Sequence, residues 1–434
     1  MTHSNSAFDL EKCARPNILH LQPYRCARDD YKDDGTNVLL DANENAYGPG
    51  LALNKAGGVL QQAMDGTPVR SLDFDLRGLN RYPDPHQSTL KQLLCNLRNA
   101  KLHTTKTLTP ENLFVGVGSD EAIDALLRCF CAPGKDKILT CPPTYGMYAV
   151  SAQVNDVSIV NVPLIASENF ALDVQGIKQA LSEDSTIKLV YLCTPGNPTG
   201  ATLPKSAIME IVHHPTWNGI VVLDEAYIDF SPPEASLAEW VLEVPNLVVM
   251  QTLSKAFGLA GIRLGAAFTS TPIARLLNSL KAPYNISSPT SQIATAALSP
   301  EHLQVMQENR EKIMIQRERL LREMPKIAGV GRFLGGTDAN FLLVEMLDGP
   351  EGKPSNVTAQ GVYEALAEQK GVVVRFRGKE HGCTGALRIT VGTEQEVDRF
   401  LVELKSVLSS IHNTGSKVSG DQEEKEQAAN DVVA

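Results

Sequence analysis

A chain of 434 residues with 43% hydrophobic and 21% charged residues is long enough for one large and one smaller domain, and is ordinary for a globular protein. The formal net charge of −10 gives no general attraction for nucleic acid or anionic lipid, so an anionic ligand needs a local cationic pocket. The first thirty-odd residues mix acids with bases and no run of about 18 apolar residues occurs anywhere, so a cytoplasmic chain without a membrane span is expected.

Taken in chain order, residues 1–36 read as an N-terminal arm, and Asp65 to Asp75 as a loop. Leu113-Phe-Val-Gly-Val117 is a strand that ends in Gly118-Ser119-Asp120, followed by a helical stretch from Glu121 to Cys131. Lys137 to Thr140 leads into Pro142-Pro143-Thr144-Tyr145, and three more apolar runs follow at Lys188–Leu192, Gly219–Leu223 and Asn246–Met250. Unbroken apolar runs are what a mainly parallel sheet needs when helices cover both its faces, so an α/β doubly wound domain is predicted. Over the last 110 or so residues, Asn340–Val344, Gly371–Arg375 and Ala386–Val391 are strands set further apart, with a loop at Asp348–Asn356, and they predict a smaller α+β domain. Thr393-Glu-Gln-Glu396 has the capping-box pattern, and Val397, Leu401, Leu404 and Val407 recur at helical spacing behind it. From about Asn413 the chain is polar and acidic without an aromatic, which predicts a disordered tail over 413–434.

No internal repeat is visible. The eight cysteines are scattered without a C-x-x-C pair, so reduced, buried thiols are expected and no metal. His213 and His214 are neighbours whose side chains point apart, which suits a loop or helix end better than a metal site.

In an open parallel sheet the strand ends share one edge, where ligands bind. Asp224-Glu225-Ala226-Tyr227 puts a carboxylate at such an end with a phenol three residues on, and the next strand delivers Ser254-Lys255 into a setting of Ala, Phe, Leu and Gly. Desolvation there lowers the pKa of the lysine and makes it a usable amine for a Schiff base. Pyridoxal 5'-phosphate (PLP) needs such a lysine, an acid facing its pyridinium nitrogen and an anion site. Lys255 and Asp224 supply the first two. Gly118, Ser119 and Asp120 at a helix N-terminus supply the third, with Ser254 and Arg263 completing the phosphate cup. Tyr145 is placed to stack on the ring, and Asn197 and Tyr227 to donate to its 3-oxygen.

These residues stand in a series of motifs: Leu40-Asp-Ala-Asn43-Glu44-Asn45, Arg81-Tyr82-Pro83-Asp84-Pro85, Gly118-Ser119-Asp120-Glu121, Asn197-Pro198-Thr199-Gly200, Asp224-Glu225-Ala226-Tyr227 and Thr252-Leu-Ser254-Lys255-Ala256-Phe257-Gly258. In this order, from about Val38 to Val407, they resemble the fold-type I PLP-dependent aminotransferases, and within them the histidinol-phosphate aminotransferase family. The resemblance implies a large domain over 81–310 with a mainly parallel seven-stranded sheet. It also implies a small domain over 311–412, with residues 37–80 contributing to the small domain and to a dimer contact. The implied reaction exchanges an amino group between histidinol phosphate plus 2-oxoglutarate and imidazole-acetol phosphate plus glutamate, in L-histidine biosynthesis. A homodimer is implied in which Tyr82 reaches the cofactor phosphate of the neighbouring subunit. Arg375 and Arg388 are implied to bind the anionic group of the substrate, phosphate or carboxylate, and Asn45 and Tyr47 to close over it. Gly196 departs from the pattern, standing where the family often has a second asparagine. The nearest alternatives of the same fold are an aromatic or broad-range amino acid aminotransferase and a phosphothreonine decarboxylase. A PLP-sensing regulator would carry an added basic DNA-binding module and a dehydrogenase a glycine fingerprint, and this sequence shows neither.

Overall fold

The computed structural model describes residues 15–21, 27–31, 35–53, 60–61, 70–71 and 76–431, the stretch after 413 as backbone alone. Cys13, Cys26 and most of the loop expected at Asp65–Asp75 lie outside the described residues. Within that loop, Arg70–Ser71 pairs antiparallel with Leu60–Gln61.

The large domain is built on seven strands: β1 (Leu113–Val117), β2 (Lys137–Thr140), β3 (Ser158–Asn161), β4 (Ile187–Cys193), β5 (Ile220–Asp224), β6 (Leu247–Thr252) and β7 (Leu264–Thr269). Their order across the sheet is β1-β7-β6-β5-β4-β2-β3. Every neighbouring pair is parallel except those made by β7, which is antiparallel to β1 and to β6. Alternate side chains enter two separate apolar layers. Phe114, Ile138, Tyr191, Val222 and Met250 fall in one, and Val115, Leu139, Val190, Leu223 and Val249 in the other. Both faces are therefore buried, the physical reason the strands read as unbroken apolar runs.

The small domain carries an antiparallel sheet of β8 (Val330–Leu334), β9 (Phe341–Met346), β10 (Arg375–Phe376) and β11 (Ala386–Thr390), in the order β8-β9-β11-β10. The helices Asn356–Lys370 and Glu394–Asp431 belong to this end of the chain. Val38–Leu39 pairs in parallel with Val372–Val373, tying the start of the segment 37–80 to the small domain. The boundary expected at 310/311 falls inside the helix Pro300–Glu323, which runs on without a break. The capping box has both its bonds: Thr393 N–H donates to Glu396 Oε2 at 2.7 Å, and Glu396 N–H to Thr393 Oγ1 at 3.4 Å. The last helix, Glu394–Asp431, runs on into the stretch 413–434 expected as a tail. One expectation differs from the structure: the Gly371–Arg375 strand is two short strands, Val372–Val373 and Arg375–Phe376, in different sheets. His213 closes the helix Lys205–Val212, and the six described cysteines are free thiols. No helix of the described residues is long and apolar enough to cross a membrane.

Candidate active site

The ends of β1, β4, β5 and β6 and the start of β7 meet at one edge of the large sheet, under the small domain. There they enclose a cavity of about 410 Å³. It is lined by all of the expected site residues except Gly118, Tyr82, Asn45 and Tyr47.

At one end of the cavity the chain leaves β1 through Gly118, at φ +70°, the first residue of the helix Gly118–Phe130. A Cβ on Gly118 would stand 2.6 Å from an Arg263 guanidinium nitrogen, and one on Gly265 would stand 2.3 Å from Ser119 N. Two glycines thus let β7 press against the start of this helix and bring Ser119 and Arg263 together. Free N–H groups in a first helical turn and a guanidinium make an anion site. Arg263 is not free in this state: its guanidinium is 3.2 Å from Asp120 Oδ2, and Tyr145 donates to Asp120 Oδ1 at 3.2 Å. Asp120, expected among the cofactor ligands, lines the cavity and bonds both Arg263 and Tyr145. Ser254 Oγ lies 2.9 Å from Thr252 Oγ1, whose single proton also has Leu264 O as an acceptor at 3.1 Å.

At the other end Asp224 closes β5, only 2% exposed. Tyr148 donates to its Oδ2 at 2.7 Å and Ala226 N–H to its Oδ1 at 3.1 Å. Burial nonetheless pushes the carboxyl up to about 6, since two hydrogen bonds do not replace the water that a carboxylate loses. Between the two ends, Lys255 Nζ donates to Ala42 O at 3.1 Å. Burial, with the Arg388 guanidinium next in effect, pulls this amine down to about 8. Tyr227 OH accepts from Asn43 Nδ2 at 3.0 Å, so the phenolic proton is left to donate. Burial holds that proton on, raising the phenol to about 12.

The small domain supplies the roof. Arg388 is 4% exposed and donates to Asn197 Oδ1 at 2.7 Å and to Asp41 O at 2.5 Å. Burial and then the neighbouring Arg377 and Arg375 draw it down to about 9. Its Nε has no hydrogen-bond partner, and no carboxylate pairs with it, among the described residues. Arg375 sits opposite Arg388 in the sheet register and pairs with Asp30 Oδ2 at 2.6 Å. Asn197 keeps both its amide protons available because its oxygen is the atom bonded to Arg388.

The residues expected to close over a substrate do not face the cavity. Asn45 is buried, donates from Nδ2 to Ala256 O at 2.9 Å and accepts from Tyr47 N–H at 3.0 Å. It fixes the backbone directly after Lys255. The Tyr47 ring lies 5.6 Å from Lys312 Nζ. Tyr82 is 81% exposed and stacks on Tyr284 at 4.5 Å. The sequence reading passed over Asn43, Tyr148 and Arg377. Only Arg377 carried a usable signal: two residues after Arg375, it lies on the same face of an extended segment.

An aldehyde-bearing pyridine phosphate fits this donor set. The anion site, the amine of lowered pKa and the buried carboxylate line a single cavity, each matching one group of that molecule.

Comparison with known proteins agrees with this geometry. Residues 36–404 match the aminotransferase class I and II family. The chain is 54% identical over 406 residues to the histidinol-phosphate aminotransferase of Schizosaccharomyces pombe, covering 93% of this chain and 99% of that protein. It is 48% identical over 409 residues to the enzyme of the same name from Candida maltosa, covering 93% and 100%. Among solved structures, the histidinol-phosphate aminotransferase from Sinorhizobium meliloti in complex with pyridoxal-5'-phosphate superposes with a TM-score of 0.73. It is 24% identical and covers 94% of this chain and 100% of that one.

Proposed function

From the premise that the chain belongs to the class I and II aminotransferases, we propose that it interconverts histidinol phosphate plus 2-oxoglutarate and imidazole-acetol phosphate plus glutamate, in L-histidine biosynthesis. The relatives of 45–54% identity that bear this enzyme's name support the substrate. The observation that carries the chemistry is Lys255, an amine of lowered pKa in the same cavity as the buried Asp224 and the uncompensated Arg388.

Bound PLP would supply the aldehyde that takes up the amino group and the ring that accepts the electron pair freed at the substrate Cα. Asp224 would hold the ring nitrogen, Ser119, Ser254 and Arg263 the phosphate, Asn197 and Tyr227 the 3-oxygen, and Tyr145 one ring face. With PLP bound, Lys255 Nζ would be the neutral base that takes the proton from the substrate Cα and passes it on. Burial serves that step, because a lysine near 8 has roughly a fifth of its molecules neutral at pH 7.4 while one at its ordinary 10.5 has about one in a thousand. Arg388 holds the anionic group of the substrate with its planar fork and Arg375 stands beside it. Neither requires an α-carboxylate, so a phosphate ester and glutamate can alternate in one site. The protein acts as a homodimer, with Tyr82 reaching the partner's site. The exposure of its ring, on a chain otherwise sparing of exposed aromatics, supports this reading.

The test is spectroscopic. PLP-loaded wild type shows a visible band that histidinol phosphate alone converts to a near-ultraviolet band, and Lys255→Ala shows no conversion. A band that ignores histidinol phosphate but responds to phenylalanine or glutamate overturns the substrate. Absence of any band overturns the class of chemistry.

A further inference from the structure

The roof of the cavity holds a third arginine with no role so far. Arg375 and Arg388 face each other across the register of β10 and β11, and Arg377, two residues beyond Arg375, is bonded to the end of β11 through its N–H to Ala386 O at 2.9 Å. All three arginines line the same cavity. They differ in how their charges are compensated. Arg375 is tied to Asp30 at 2.6 Å, across more than 300 residues of chain, with both side chains mostly buried. Arg388 has two fixed neutral acceptors, Asn197 and a backbone carbonyl. Arg377 is tied to Glu380, three residues on in the same turn, through NH1 to Oε1 at 2.7 Å.

This last pair is made by one bond where two are available. Arg377 Nε and Glu380 Oε2 are both buried, and neither has a hydrogen-bond partner among the described residues. A second cavity of about 390 Å³ lies beyond Arg377, with Glu380 and His381 on its wall, so Glu380 has space to withdraw. Opening the pair disturbs only a local turn, whereas freeing Arg375 would break a tie between distant parts of the chain.

Resting on the histidinol-phosphate reading, we propose that Arg377 is the specificity-determining residue that selects phosphate over carboxylate, leaving Glu380 to add a second guanidinium beside Arg388 when the bound group is a phosphate ester. The charge balance requires such a group. One carboxylate is matched by the single uncompensated charge of Arg388, while a phosphate monoester carries about −1.5 to −2 at neutral pH. Its three oxygens accept from a second fork that a carboxylate, already spent on Arg388, does not accommodate.

The experiment compares kcat/KM for histidinol phosphate and for glutamate in wild type, Arg377→Gln, Arg377→Lys and Glu380→Gln holoenzymes. In parallel it measures competitive inhibition by inorganic phosphate and by acetate against glutamate. Arg377→Gln is expected to lower the ratio of the two kcat/KM values by roughly ten- to a hundredfold, the loss of one charge-assisted contact. Phosphate inhibition should weaken by a similar factor while acetate inhibition changes far less. Arg377→Lys should fall between, and Glu380→Gln should leave the preference at or above that of wild type. Equal losses with both substrates, or a larger loss with glutamate, overturn the proposal. Because phosphate inhibition is read against glutamate, a wild type that does not turn over histidinol phosphate would refute the proposed function. Arg377 is then judged by whether phosphate inhibition depends on it, and an inhibition unaffected by Arg377→Gln overturns it independently.

Discussion

Asp224 and Lys255 are held in forms that cost the empty protein stability and serve it once a cofactor is bound. The Asp224 carboxyl lies near 6 in the fold against 3.8 for the ordinary group, so the folded state binds the extra proton between those values. Its contribution is therefore present in full below about 4, falls as pH rises through 6, and stays at its low level above. A difference of that size between folded and unfolded chain corresponds to about 3 kcal/mol, from which the loss of one hydrogen bond must be subtracted on replacement. Asp224→Asn should accordingly make the cofactor-free protein more stable at pH 7.5 by about 1–3 kcal/mol, an advantage that shrinks towards pH 5, while cofactor affinity falls. Urea unfolding of both proteins across pH 5–8 measures it. A variant less stable than wild type at pH 7.5 would mean that the Tyr148 and Ala226 bonds outweigh desolvation. Asp224 was legible in sequence because a carboxylate closing an apolar strand has few structural uses, and Lys255 because its Ala, Phe, Leu and Gly neighbours do not suit a solvated charge. Tyr148 was not, because a tyrosine inside a helix reads as core, and only the fold shows that its hydroxyl reaches Asp224.

At the scale of elements, the site depends on β7 running antiparallel so that Arg263, just before it, returns to the edge where the parallel strands end. Gly265 permits that return. Its backbone is unremarkable in φ, and the constraint is proximity, since an added Cβ would meet Ser119 N at 2.3 Å. Gly265→Ala should therefore push the start of the Gly118–Phe130 helix outward, costing about 1–3 kcal/mol as overpacking does. It should weaken PLP binding more than binding of pyridoxal, which lacks the phosphate. Equal losses for the two ligands in a fluorescence titration would place the damage elsewhere. This strand was missed in the sequence, as were β3 and β8. Leu264-Gly-Ala-Ala-Phe-Thr is rich in small residues and follows directly on the lysine segment, Ser158-Ile-Val-Asn is short and half-exposed, and Val330-Gly-Arg-Phe-Leu breaks its alternation with Gly and Arg. The strands buried on both faces, β4 to β6, were legible because such burial keeps their middle residues apolar and leaves polar ones to the strand ends.

For the whole molecule, the two domains are joined over the cavity by the segment 41–45, which belongs to neither sheet. Asp41 O receives Arg388, Ala42 O receives Lys255, and Asn45 holds Ala256 O. Asn43 is the centre of this junction. Its backbone N–H and its Oδ1 both meet Thr390 Oγ1 at 3.0 Å, its Nδ2 donates to Tyr227 OH in the large domain, and its carbonyl accepts from Asn340 at 3.1 Å. It also sits at φ +53°, a left-handed conformation that asparagine tolerates better than most residues. Two explanations for an asparagine here, backbone conformation and side-chain bonding, are separable. Asn43→Gly keeps the conformation and removes the bonds, leaving the buried Tyr227 and Thr390 hydroxyls short of a partner, a cost of about 1–3 kcal/mol. Asn43→Ala removes the bonds and adds the left-handed strain, a further roughly 1–2 kcal/mol. Urea unfolding should rank wild type above Gly and Gly above Ala. A glycine variant as stable as wild type would reduce Asn43 to a turn residue, and the junction between the domains would then rest on the backbone bonds of this segment and on Arg388, Lys255 and Asn45.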